Sequence, residues 1–121
     1  MANPGPASSS VVNLVQSISN IQKRIIASIT LSPSAVAANT TAEQTFTSTG
    51  SGIMAGDYVS INKPTAQAGL GIVGARGVGT DQFAITFVNA TAAPITPTAA
   101  EVYLVSVERL ISGAALIAFP Y

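Results

Sequence analysis

Short apolar runs, cut by proline, glycine and asparagine, fill most of this chain. The clearest are YVSIN at 58–62, LGIVGA at 70–75, FAITFV at 83–88 and VYLVSV at 102–107. Each is short, rich in β-branched or aromatic residues and bounded by turn formers, the pattern of antiparallel strands. Residues 83–88 alternate best, with Phe83, Ile85 and Phe87 on one face and Ala84, Thr86 and Val88 on the other. Residues 102–107 are apolar at every position but Ser106, which predicts a strand covered on both faces. Two earlier runs fit the same scheme. In residues 24–31, Ile25, Ala27, Ile29 and Leu31 alternate with Ile26, Ser28 and Thr30 and stop at Ser32-Pro33. In residues 43–49, Thr45, Thr47 and Thr49 share one face and Phe46 takes the other, as in a strand with one wet face. Six or seven such strands, spaced at roughly 8–12 residues, predict an all-β chain forming a small β-sandwich of jelly-roll or Greek-key type.

The first residues break the pattern. MANPGPASSS is small, uncharged and rich in Pro and Gly, so it supplies nothing for a packed core and reads as a flexible arm. Val11, Leu14, Val15, Ile18 and Ile21 then fall at spacings of three and four, one helical stripe that a serine at 8–10 would cap. The β-branched residues weaken that helix, and an extended arm is the alternative. The chain thus divides into an arm, residues 1–24, and a β-sandwich domain, residues 25–121. Within the domain, Gly50, Gly52 and Gly56 surround Ile53-Met54, a loop whose tip is pinned to the core. Five glycines between positions 69 and 79 predict bulges or close backbone approach. The apolar run at 111–119 reads as a last strand or as surface packed on a neighbouring subunit.

Charge changes the picture. Five basic and five acidic side chains make up 8% of 121 residues, against about 25% in an ordinary soluble domain. A neutral, charge-poor surface favours association, so copies of the chain or a larger assembly are expected to cover much of it. Lys23, Arg24, Lys63, Arg76 and Arg109 are scattered, which argues against nucleic acid as a partner. No stretch has the roughly 20 apolar residues of a membrane-spanning helix, and residues 1–10 lack the features of a secretory signal, so synthesis in a cytoplasm without classical export is expected.

Candidate chemistry is sparse. There is no Cys and no His, which removes thiolate nucleophiles, imidazole bases and the usual zinc ligands. Residues 69–74, GLGIVG, match G-x-G-x-x-G by letter, but the segment is itself strand-like, and the helix start and acidic residue that dinucleotide binding needs are not in place. Asn39-Thr40-Thr41 and Asn89-Ala90-Thr91 match the glycosylation triplet by chance in a Thr-rich chain. Glu43, Asp57, Asp81, Glu101 and Glu108 show no ligand or acid/base spacing and read as solvated or Arg-paired carboxylates. No catalytic, cofactor-binding or metal-binding residue is nominated, and the chain is expected not to be an enzyme. Most aromatics sit in apolar strands and read as core, Tyr121 excepted.

NTTAEQTF, GDYVSINKPTAQAGLGIVGAR, AITFVNATAAPITPTAAEVY and the closing YLVSV, in that order across residues 39–107, resemble a β-module of tailed-bacteriophage virion proteins. The resemblance implies a compact, non-enzymatic β fold, and with only a short N-terminal segment it is most similar to a capsid decoration, or cement, protein. The implied partners are the major capsid protein and further copies of the chain, as dimer or trimer, on the virion surface, with no membrane involved. Residues 1–31 and 110–121 are the candidate lattice contacts. The alternative is a head-fibre or tail-associated module that binds a host glycan through residues 65–69 or 90–99.

Overall fold

The computed structural model describes residues 21–110. Six strands, β1 (Ile21–Leu31), β2 (Thr40–Thr47), β3 (Tyr58–Asn62), β4 (Leu70–Gly79), β5 (Gln82–Asn89) and β6 (Glu101–Leu110), form one antiparallel sheet in the order β1-β6-β3-β4-β5-β2. β3, β4 and β5 follow one another across the sheet, and β6 returns to lie beside β3, which is a Greek key. β2 beside β5 makes a second, overlapping one.

A flat sheet of this width would leave both faces wet. Here Tyr103, Val105, Val107, Val59 and Leu31 from the β1-β6-β3 half share one core with Phe83, Ile85 and Phe87 of β5, and Val36 and Ile53 enter it from loops. The sheet therefore folds over on itself into a small β-sandwich. The fold line lies between β3 and β4, which register only at Tyr58↔Arg76. Hydrogen bonds from Gly56 N to Gly77 O and from Gly77 N to Asp57 O, both 3.1 Å, hold them together there. Beyond that point they part around a cavity of about 220 Å³ near Ile61, Lys63, Gln67 and Ile72.

Gly77 has a steric reason. A Cβ at this position would run into the Met54 carbonyl oxygen and come within 3.1 Å of the Asp57 Cβ. The register slips between Ile72 and Gly74 and between Gly77 and Gly79, so the glycine-rich strand is bulged as its composition predicts. The G-x-G-x-x-G letters sit in this strand and its lead-in turn, where Gly69 takes a positive φ of 81°.

β1 alternates as expected, with Ile25, Ala27, Ile29 and Leu31 inward and Ile26, Ser28 and Thr30 outward. Three expectations are corrected. β1 begins at Ile21, because Ile21, Lys23 and Arg24 pair with Leu110, Arg109 and Glu108. Cross-strand pairing therefore overrides the helical spacing at 21–24, while residues 1–20 lie outside the described residues, as do 111–121. β6 is covered on one face only, since a two-layer sandwich has no third layer to shield Val102 and Leu104. Tyr58, read as core with the other strand aromatics, points outward from the first position of β3. The loop tip between the glycines is split, with Ile53 buried and Met54 exposed.

Candidate interaction face

All ten charged residues fall within the described region, and most are occupied with one another. Arg109 grips Asp57 at two points, Nε to Oδ1 and Nη2 to Oδ2, each at 2.7 Å, and its Nη2 also donates to the Gly52 carbonyl at 2.9 Å. Arg76 makes a two-point contact with Glu43 at 2.8 and 3.0 Å. Arg24 lies 3.4 Å from Glu108. Lys63 Nζ stands 2.9 Å from Glu101 Oε1, a charge contact whose geometry falls short of a hydrogen bond, and Glu101 Oε2 accepts from the Thr65 hydroxyl. Asp81 accepts from the amides of Gly50 and Gly52 at 2.9 and 2.8 Å.

Asp57, Asp81 and Glu101 titrate low in consequence. The Arg109 hydrogen bonds hold Asp57 below the ordinary range, the Gly50 and Gly52 amides do so for Asp81, and Thr65 followed by Lys63 for Glu101. Among the described residues no three carboxylates gather as a metal site.

The two outer faces of the sandwich differ. Over β5 the Arg76–Glu43 pair spans the sheet beside Ala84, which is fully covered between its neighbours Arg76 and Thr45. On the β1-β6-β3 side, the outward residues run through Ile26, Ser28 and Thr30, then Val102, Leu104 and Ser106, then Ser60 and Asn62. Ile26 is 68% exposed and Leu104 48%. Between them a shallow cavity of about 270 Å³ opens beside Ser60, Asn62 and Ser106. Arg24 and Glu108, already paired, close one end of this face; its middle holds no charge. A surface of apolar and small hydroxyl side chains, with backbone locked in a sheet, binds by shape and desolvation rather than by ion pairing.

At the far end of the sandwich the two nominated loops, 65–69 and 90–99, come together. Gln67 donates from Nε2 to the Thr96 carbonyl at 3.1 Å and accepts from the Thr98 amide at 2.9 Å, and Ala90 N donates to Gly69 O at 2.9 Å. Asn89 fixes this end. Fully buried, it donates to the carbonyls of Val36 and Ala93 at 3.0 and 2.8 Å, and its Oδ1 accepts from the amide and hydroxyl of Thr91. The Asn-Ala-Thr letters thus encode a loop clamp, which the position of an asparagine before a Pro-containing loop hints at but does not specify. Asn39, by contrast, is exposed, with a positive φ of 49°.

The molecule is an all-β Greek-key sandwich with one neutral, apolar outer face. Searches against protein-family models, curated proteins and solved structures find no match.

Proposed function

We propose that this chain is a non-enzymatic structural virion protein, a homo-oligomeric decoration protein that binds the outer capsid surface and stabilises the shell. The observation that carries the reading is the uncharged, apolar face of β1-β6-β3 on a chain whose ion pairs are mostly satisfied internally. The resemblance of residues 39–107 to phage virion modules supplies the class of partner. With β1, β6 and β3 holding 11, 10 and 5 residues, strands about 4.8 Å apart that rise about 3.3 Å per residue present roughly 400 Å². A stable interface takes about 800 Å² per partner, so additional surface is required, and residues 1–20 and 111–121 are the chain available to supply it.

The test is co-sedimentation with purified shells lacking this protein, followed by measurement of shell resistance to heat. Saturable binding at a fixed ratio to the major shell protein is expected, and no binding at micromolar concentration rejects the reading.

One observation favours a second reading, a glycan-binding head-fibre or tail module. Tyr58 is an exposed aromatic of the kind a sugar platform uses, and the loops 65–69 and 90–99 form a joined surface at the other end. Retention on a glycan array, lost on Tyr58→Ala or on substitution in either loop, supports this alternative.

A further inference from the structure

Three of the large apolar side chains left exposed, Met54, Tyr58 and Leu110, converge on one cavity of about 650 Å³. It lies at the fold line where β3 begins and β6 ends beside Ala75 and Arg76 of β4, with Ala55 and Ala75 completing its apolar wall. We propose that this cavity is the docking site for the chain's own residues 111–121, turned back from Leu110 so that Leu116, Ile117 and Phe119 enter it.

Continuity carries the assignment first. Leu110 is the last residue of β6 and itself lines the cavity, and the sequence that follows, ISGAALIAFPY, begins at the wall. Ser112-Gly113, directly after the strand, is a turn-forming pair. Within the sheet both edges of β6 are taken, one by β1 and the other by β3, so the segment after Leu110 finds no free edge on the strand it leaves.

Charge matching comes second. The rim carries Asp57, Arg76, Glu108 and Arg109, each already paired with another residue of the chain. What remains unsatisfied is apolar surface, and residues 111–121 carry no charged side chain. A volume of this size falls in the range that takes a small cluster of side chains.

Tethering decides between this copy and another. Nine residues reach about 30 Å when extended, enough to cross the mouth, and a short tether holds the segment at an effective concentration on the order of millimolar. A second copy competes only above that concentration. Ile21, the first described residue, also pairs with Leu110, but it is not part of the cavity wall. The proposal is independent of the virion reading and is tested with no particle present.

The chain has no cysteine, so a disulfide reports one contact. In the full-length Ala55→Cys/Ile117→Cys variant, mild oxidation is expected to close a bond within the chain at every dilution. A bond only between chains, a faster bond in the Ala55→Cys/Ile18→Cys control, or no bond at all overturns the proposal. As a second measurement, Ile117→Asp with Phe119→Asp is expected to speed amide exchange at residues 54–58 by about tenfold, the signature of lost local cover. Unchanged exchange there also overturns it.

Discussion

Asp57 and Arg109, 52 positions apart in sequence, face each other in a two-point contact at 2.7 Å with the Asp57 side chain almost wholly covered. The contact ties the first residue before β3 to the last turn of β6. Asp57 also accepts from the Met54 amide at 2.9 Å, so one carboxylate holds the loop, the strand start and the neighbouring strand. Asp57→Ala leaves a partly covered guanidinium without its partner and is expected to cost about 3 kcal/mol. Urea unfolding followed by circular dichroism reads the loss, and a change below the scatter of ordinary surface substitutions would contradict the role given to this pair.

Acid should act through the same groups. Asp57, Asp81 and Glu101 all have folded pKa values below their ordinary ones. Their stabilisation is present above the unfolded values and disappears as pH falls through the lowered, folded values. No histidine titrates in between. Thermal unfolding is therefore expected to stay level from about pH 8 to pH 5 and to drop below about pH 4, where unfolded Asp and Glu take up protons. Asp81→Asn, which weakens the cap on Gly50 and Gly52, should flatten part of that drop.

Tyr103 gives a prediction of opposite sign. Its ring is fully buried in the core while its hydroxyl has no hydrogen-bond partner among the described residues. Burial, reinforced by the Glu101 carboxylate, pushes its pKa up to about 12. Removing an unpaired buried hydroxyl relieves a desolvation cost of about 1 kcal/mol or more, so Tyr103→Phe is expected to leave the protein as stable as before or more so. A clear loss in denaturant midpoint would mean that the hydroxyl has a partner.

The outer face makes a separate demand. Leu104→Lys and Ile26→Lys alter exposed positions and are expected to change unfolding free energy by no more than about 0.5 kcal/mol. On the decoration reading proposed above, either one, placed in the middle of an uncharged surface, should abolish association with shells or with other copies. Urea unfolding of the wild type and both variants reads the first effect, and sedimentation velocity reads the second.

With mostly paired charges, recognition should also be indifferent to salt. Screening between about 0.05 and 0.5 M shortens the Debye length from roughly 13 to 4 Å, which weakens interfaces built on opposite charges. On the decoration reading, the apparent affinity for shells is expected to vary less than about twofold over that interval. A steep decline would point to an ionic contact outside the described residues.

Much of this was readable from alternation alone. The phase of Ile25, Ala27, Ile29 and Leu31 gives the inward face of β1 correctly, and Phe83, Ile85 and Phe87 give that of β5. The same rule fails for β6, because Val102 and Leu104 are apolar and yet face outward. Apolar letters do not distinguish a face turned to the core from one turned outward. Ile21 fits both a helical stripe and a strand, and the choice falls to a residue 89 positions away, Leu110, with which it pairs. Isolated carboxylates were expected to be solvated or to meet arginines; that Asp57 meets Arg109 and Glu43 meets Arg76 follows only from the Greek key. The Asn89 clamp was only hinted at for a related reason, since two of its partners are backbone carbonyls that carry no letter in the sequence.

Because Ile21 sits across from Leu110, the described chain begins and ends at the same end of the sandwich. The joined loops around Asn89 stand at the opposite pole, some ten strand residues or roughly 33 Å away. A surface linkage placed directly at Ile21 or Leu110 would therefore orient every molecule alike, with the 90–99 loop facing outward. A peptide spliced into that loop at the exposed Ala92 would be held up to solution as cargo on a rigid post.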